Sequence, residues 1–276
     1  TKKKELIEVT RGADTTSDLE PIGTALKELR DRLIKERGIN ADDLPTKEEL
    51  DKRTAVMAQK ELVREKQEFY SSQSIWPADI PVSFKFSDWK PDIQSDSKLA
   101  RKIGKQAYIL TKRLIAGQKL NIVFVGAPGV GKTSLALAVL NELKTQNKGV
   151  MFVSTAELAG LYQQKREYAD IQKRLSKIET GMKYTDVLLL DDLGTEGFSS
   201  FKDYGVRTDM QSLMYRISNA RFDFENNRPG KITLVTTNNT QEELKKMYDP
   251  KIISRLVPDK QEFRVIFNGF KDVRGV

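Results

Sequence analysis

The chain has 276 residues, 38% hydrophobic and 31% charged, with a formal net charge of +8 at pH 7 and neither cysteine nor histidine. Disulfides and zinc held by cysteine or histidine are excluded, and so is the commonest general base; any chemistry must run on carboxylates, Lys, Arg, Ser/Thr and a hard metal ion. No apolar run approaches the roughly 18 residues that span a bilayer and no signal-peptide pattern opens the sequence, so a soluble, cytoplasmic protein with no membrane partner is expected.

The basic excess is unevenly placed. Residues 1–75 carry 15 Lys and Arg against 16 Asp and Glu, whereas the other 201 carry 32 against 23. The larger segment therefore suits a polyanionic partner such as nucleic acid or nucleotide.

In chain order, Ile22, Leu26, Leu29 and Leu33 recur at helical spacing and predict a helix over 20–37 that stops at Gly38. Thr46 and Glu49 have capping-box spacing, so a second helix is expected from Thr46 to about Tyr70. Both helices are sparse in apolar residues, which fits a helical partner-binding domain over 1–75 better than an independent core. Residues 71–91 bring two Trp and three Pro, and 76–96 is expected to be a linker into a domain over 97–276.

From Ser97 the expected order is helix 97–116, strand 120–125, helix 131–145, strand 150–154, helix 156–180, strand 187–190, helix 203–220 and strand 232–236. Short, nearly continuous apolar strands alternating with helices predict an α/β fold, a parallel sheet flanked by helices on both faces. The helix from Ser97 places Lys98, Arg101, Lys102, Lys105, Lys112 and Arg113 within an arc of ~120° and its apolar residues within ~80° opposite. Such a ridge is usually a solvated face.

The first strand runs into Gly126, Ala127, Pro128, Gly129, Val130, Gly131, Lys132 and Thr133, followed by Ser134. Glycines at these positions let backbone N–H groups turn inward around phosphate oxygens, and the helix that follows presents its positive end. Lys132 would reach the terminal phosphates of ATP, and the Thr133 hydroxyl would hold Mg²⁺. Such a site needs an acidic residue on a second strand, and "VLLLDD" supplies Asp191 for the metal and Asp192 to polarise water. Glu196 is the other candidate base. The strand "KITLVTTNN" ends at Asn238, whose amide could sense the γ-phosphate or simply close a turn. Arg255 and Arg274 follow; by chemistry alone each is better accounted for as a surface ion pair.

Taken together, "GAPGVGKT", "VLLLDDLGTE", "TLVTTNN", "IISRL" and "FNGFKDVR" resemble, in order and spacing, the AAA+ ATPases of the DnaC/DnaI type, the replicative-helicase loaders of bacteria and phages. The resemblance covers about residues 76–276. It implies an AAA+ P-loop fold, Walker A at 126–133, Walker B at Asp191 and Asp192, and sensor 1 at Asn238. It also makes Arg255 an arginine finger acting on a neighbouring subunit and Arg274 the sensor 2 arginine. Further implications are ATP hydrolysis, self-assembly through the AAA+ domain, and an N-terminal domain that grips a DnaB-type helicase. The segment 157–183 resembles the family's helical insertion, so Lys165, Arg166, Lys173, Arg174 and Lys177 are candidates for single-stranded DNA. DnaI-type loaders carry N-terminal zinc, which this chain has no ligands to reproduce. An IstB-like transposition helper, which partners a transposase, and a non-catalytic nucleotide-binding adaptor remain as alternatives.

Overall fold

The computed structural model describes residues 27–28, 31–32, 34–36, 45–165, 168–195 and 206–274. The chain divides into two compact units, Thr1–Ala58 and Gln59–Val276. In the first, the described residues between 27 and 36 are helical, while Ile22, Leu26, Leu29, Leu33 and Gly38 lie outside the described residues. Helix α1 (Lys47–Ser72) opens at the expected box. Glu49 N donates to Thr46 Oγ1 at 3.3 Å and Thr46 N to Glu49 Oε2 at 2.8 Å, which satisfies two backbone donors that the first turn leaves without helical partners.

The second unit is built on strands β1 (Ile122–Val125), β2 (Val150–Ser154), β3 (Val187–Asp191), β6 (Ile232–Thr237) and β7 (Arg264–Ile266), all parallel, in the order β2-β3-β6-β1-β7. Between β3 and β6 the chain makes a separate antiparallel pair, β4 (Phe222–Asp223) with β5 (Arg228–Pro229). Successive side chains of a strand point to opposite faces, and here both faces are dry. Val187 and Leu189 join one apolar cluster, with α2 (Ser97–Ile115) and α3 (Lys132–Thr145). Leu188 and Leu190 join the other, with α4 (Thr155–Gln164), α5 (Ala169–Tyr184), α6 (Thr208–Ala220), α7 (Gln241–Met247) and α8 (Pro250–Leu256).

The structure departs from expectation in several places. The segment 76–96 is no linker but part of the compact body, and its aromatic residues are anchors. Ile75 N donates to Phe152 O (2.8 Å) and Ser154 N to Ile75 O (2.9 Å), which extends pairing at the β2 edge. Trp76 stacks on Phe152 with ring centroids 4.0 Å apart, and Trp89 Nε1 donates to Ala100 O at 3.1 Å. The single helix expected over 156–180 is two, α4 and α5, separated at Tyr168, whose backbone is extended at φ −132°. No Gly or Pro marks that break. Helix α6 begins at Thr208, and positions 203–205 of the expected helix lie outside the described residues. β7, α7 and α8 were not anticipated, being three to seven residues long.

Polar groups fix the layers at the amino ends of the strands. Arg221 is 3% exposed and donates to Thr233 Oγ1 (3.0 Å), Met182 O (2.8 Å), Thr185 O (3.0 Å) and Ile232 O (2.5 Å). Burial pulls its pKa down to about 9, yet these acceptors join the end of α5 to β6 through a single side chain. On the outer side of α5, Glu179 accepts both arms of Arg216 from α6 at 2.7 and 2.8 Å, and Lys183 at 2.6 Å.

The basic ridge of α2 is partly spent on neighbours. Arg101 pairs with Asp92 at 2.5 Å, Arg113 with Glu262 at 3.2 Å, and Lys112 lies over the Tyr108 ring. No helix among the described residues is long and apolar enough to cross a membrane.

Candidate nucleotide site at the carboxyl end of the sheet

Register decides which residues meet. Val125 is level with Thr237, and Ser154 with Asp191, so β1, β3 and β6 deliver Gly126, Asp191 and Asn238 to one edge of the sheet. Ligand sites in parallel α/β sheets lie at this carboxyl edge.

The loop after β1 needs its glycines. Gly129 has φ +76° and Gly131 φ +93°, a region that favours glycine. A Cβ on Gly126 would lie 2.7 Å from Phe267 Cβ, and one on Gly129 only 2.0 Å from Asp272 Oδ1. Ala127 and Pro128 at the loop's tip are exposed, Val130 is buried, and Ser134 sits half-buried in the first turn of α3.

Lys132 is 5% exposed and donates to Ala127 O at 2.8 Å and Asn238 Oδ1 at 2.7 Å. Burial lowers its pKa, against the raising effects of Asp192 and Asp191. Thr133 Oγ1 donates to Asp191 Oδ1 at 2.8 Å, and Thr236 Oγ1 to the same oxygen at 2.7 Å. Burial raises the Asp191 pKa, and these two hydrogen bonds oppose it. Thr133 and Asp191 thus bring a hydroxyl and a carboxylate together, an all-oxygen pair that fits Mg²⁺; such a cation commonly takes one or two protein oxygens and leaves the rest to phosphate and water.

Asp192 takes a different path from its neighbour. Its φ is +56°, its N–H donates to Thr236 Oγ1 at 2.8 Å, and its carbonyl accepts from Thr155 Oγ1 at 2.9 Å and Thr195 Oγ1 at 2.8 Å. This turn separates the two carboxylates: Asp191 is buried against Thr133, and Asp192 is half-buried with its charge felt by both Lys132 and Arg274. Glu196 lies outside the described residues.

The C-terminal segment folds onto the loop after β1. Val273 N donates to Gly129 O at 3.1 Å, and Asp272 accepts from Arg274 N (2.9 Å), Nε (3.1 Å) and Nη2 (2.6 Å). Arg274 holds the Asp272 carboxyl down to about 2. Arg274 is thereby kept beside the loop by Asp272, a residue that sequence reasoning passed over although it stands two positions away.

Arg255 is placed elsewhere. Asn121, which precedes β1, donates to Arg255 O at 2.7 Å, so this arginine belongs to the amino end of the sheet, opposite the loop of its own chain. Its guanidinium lies 5.1 Å from the Phe224 ring, 5.8 Å from Phe222 and 5.9 Å from Tyr215, and donates to Asn219 Oδ1. A groove of about 1010 Å³ opens there, lined in part by Arg113, Lys119, Phe224 and Arg255.

Of the nucleic-acid candidates, Lys165, Lys173, Arg174 and Lys177 are exposed on or beside α4 and α5, and Arg166 lies outside the described residues. Lys165 covers the Tyr162 ring at 5.3 Å and Arg174 pairs with Asp79 at 3.6 Å.

The family model described as IstB-like ATP binding protein matches residues 45–251. The replicative helicase loader DnaC of Escherichia coli K12 is 24% identical over 140 residues, 51% of this chain and 51% of that protein. The chain thus spans about half the length of the curated relatives it matches. Among solved structures, that of DnaI has 23% identity over 62% of this chain and 80% of that one, with a TM-score of 0.44. AMPPCP-bound DnaA from Aquifex aeolicus has 20% identity over 54% and 43%, with a TM-score of 0.41. The parallel five-stranded sheet flanked by helices is that of an AAA+ P-loop NTPase, and the chain belongs to the IstB-like ATP binding protein family.

Proposed function

We propose that the chain is a replicative-helicase loader that binds and hydrolyses ATP, assembles with copies of itself and contacts single-stranded DNA in the cytoplasm. The observation that supports the enzymatic part is the pairing of Lys132 with Asn238 and of Thr133 with Asp191 at the same edge of the sheet. The loader assignment draws on the motifs and on the name of the DnaC relatives.

In this reading the loop amides and Lys132 hold the phosphates, and Asn238 exchanges its bond to Lys132 for one to the γ-phosphate. Asp192 orients a water molecule in line with the bond to be broken and takes its proton as oxygen attacks phosphorus and ADP leaves. Mg²⁺, when held by Thr133 and Asp191, would neutralise charge on the phosphate oxygens. Arg274 adds positive charge from the same chain and Arg255 from a neighbouring one. The N-terminal unit grips a DnaB-type helicase. Lys165, Arg166, Lys173, Arg174 and Lys177 contact the DNA backbone.

The test is ATP turnover of the wild type and Asp192→Asn with helicase and single-stranded DNA present, together with the mass of the complex formed with helicase and an ATP analogue. Turnover that vanishes in the variant and a defined helicase complex are expected; no turnover under any condition would leave a nucleotide-binding adaptor. The family match also favours a second reading, an IstB-like helper of a transposase. Retention of the chain by transposase but not by helicase would decide for it.

A further inference from the structure

The basic face of α2 is accounted for only in part by its neighbours. Arg101 and Arg113 are paired, but Lys98, Lys102, Lys105 and Lys112 are exposed and meet no carboxylate among the described residues. At 100° per residue these four lysines fall within an arc of about 80°, and their Cα atoms span about 21 Å along the helix. The carboxylates of the flanking segments are engaged. Asp88 accepts from Lys85 N at 2.8 Å, Asp96 caps the helix by accepting from Leu99 N at 2.9 Å, and Asp92 and Glu262 hold the two arginines.

This arrangement works against the helix that carries it. Ser97–Ile115 contains no acidic residue, and Lys98 stands in the first turn, where the helix dipole favours anions. Lys98 with Lys102, and Arg101 with Lys105, are like charges four residues apart, a spacing that destabilises a helix. An exposed face that breaks local rules without a gain in packing points to a ligand that supplies the missing charge.

The surroundings say what kind of anion fits. Ala100, Ile103, Ala107, Leu110 and Leu114 are buried in the body, so α2 keeps no apolar face with which to enter a lipid surface. Tyr108 and Ile109 stand among the lysines, 43% and 49% exposed. Lys112 lies over the Tyr108 ring at 5.0 Å and Phe86 meets its edge at 5.4 Å, so this ring is no open platform for an unstacked base. A straight, convex row of ammonium groups suits a regular row of phosphates, which a duplex presents with its bases already stacked on one another.

We propose that α2 binds the phosphate backbone of duplex DNA through Lys98, Lys102, Lys105 and Lys112, without regard to sequence. The surface lies on the opposite face of the sheet from α4 and α5, whose lysines serve the single strand in the function proposed above. It depends neither on that contact nor on the nucleotide site.

The test is equilibrium binding of the full chain to a short blunt DNA duplex of mixed sequence, to one of its strands alone and to poly-L-glutamate, each over a range of salt. Wild type is compared with Lys102→Gln/Lys105→Gln, with the quadruple variant that adds Lys98→Gln and Lys112→Gln, and with Lys245→Gln/Lys246→Gln, which removes as much charge as the first from exposed positions on α7. At about 0.1 M salt the α2 double variant should bind the duplex about 10-fold more weakly and lose about 2 from the slope of log affinity against log salt. The quadruple variant should bind it about 10²-fold more weakly or worse and lose between about 3 and 4. The α7 variant should stay within about 2-fold of wild type on the duplex, and the α2 variants within about 2-fold on the single strand. Both α2 variants should unfold at or above the wild-type temperature, because repulsion within the helix is relieved. The inference is overturned if the wild type does not bind the duplex, if the α7 variant weakens it as much as the α2 double variant, or if single-strand binding is lost in step with duplex binding. Poly-L-glutamate held as tightly as the duplex would make the face a site for acidic protein and overturn it as well. Earlier unfolding of the α2 variants would do the same, since the lysines would then serve the fold.

Discussion

The two ends of the sheet hold positive charge in opposite ways. At the carboxyl end Lys132 is held by one carbonyl and one side-chain amide, beside two aspartates. Each of these partners could be exchanged for a phosphate oxygen without breaking the fold. At the amino end Arg221 is tied to three backbone carbonyls and a hydroxyl that belong to the sheet and its helices. Replacing those would open the layers. Equal burial therefore does not mean equal purpose: in the proposed function Lys132, 5% exposed, is poised for a ligand, whereas Arg221, 3% exposed, is a fastener. Arg255 falls between them, half-buried under aromatic rings that steady its guanidinium, with no carboxylate paired to it among the described residues.

That contrast can be broken most sharply at Arg255. If it completes a neighbour's site, Arg255→Ala should bind ATP with wild-type affinity but turn over ~10³-fold more slowly, the scale of an arginine finger. Mixing Arg255→Ala with Asp192→Asn should restore part of the activity, since each variant supplies what the other lacks. Steady-state ATPase of the mixture checks this; two inactive variants that stay inactive together would place Arg255 outside the neighbour's site.

Lys132→Ala should lower turnover by about 10²–10³-fold, the cost of losing one preorganised charge at the transition state, and should weaken ATP binding as well. Its unfolding free energy should change little. Arg221→Met should do the reverse. With four acceptors left without a donor, a loss of roughly 3 kcal/mol or more is expected in urea unfolding, with ATP affinity of the folded fraction intact. If the two variants showed the same pattern, the distinction between the two ends would fail.

These differences were only half legible in the sequence. The strands and the loop were clear because apolar runs that end in glycine or aspartate carry a strong local signal. Thr133, Asp191 and Asn238 could be expected together because parallel strands ending in register must bring their next residues to one edge. Arg221 gave no such sign, since "NARFDF" reads as a charged turn and only the packed structure closes carbonyls around it. The segment 76–96 misled for the converse reason. Pro and Trp do interrupt helices, but Trp76 and Trp89 lie against Phe152, Gly104 and Gly131, contacts between residues distant in the chain.

The smallest effect should appear at the outer side of α5, where neither end of the sheet is concerned. The hydrogen bond from Arg216, with help from Lys183, holds the Glu179 carboxyl at about 2 rather than the ordinary 4.5. The folded protein therefore keeps this group ionised where the unfolded chain begins to protonate it. Its stabilisation is complete above about pH 4.5, declines as the pH falls, and is gone below about 2. Asp272 is also held down to about 2, so the acid limb of the wild-type curve mixes both carboxylates. The difference between wild type and Glu179→Gln removes Asp272, which the two proteins share. That difference in unfolding free energy should be constant from pH 7 to about 5 and shrink across the interval to 2. A difference that stays constant to pH 2 would mean that Arg216 packs against α5 without drawing on the charge of Glu179.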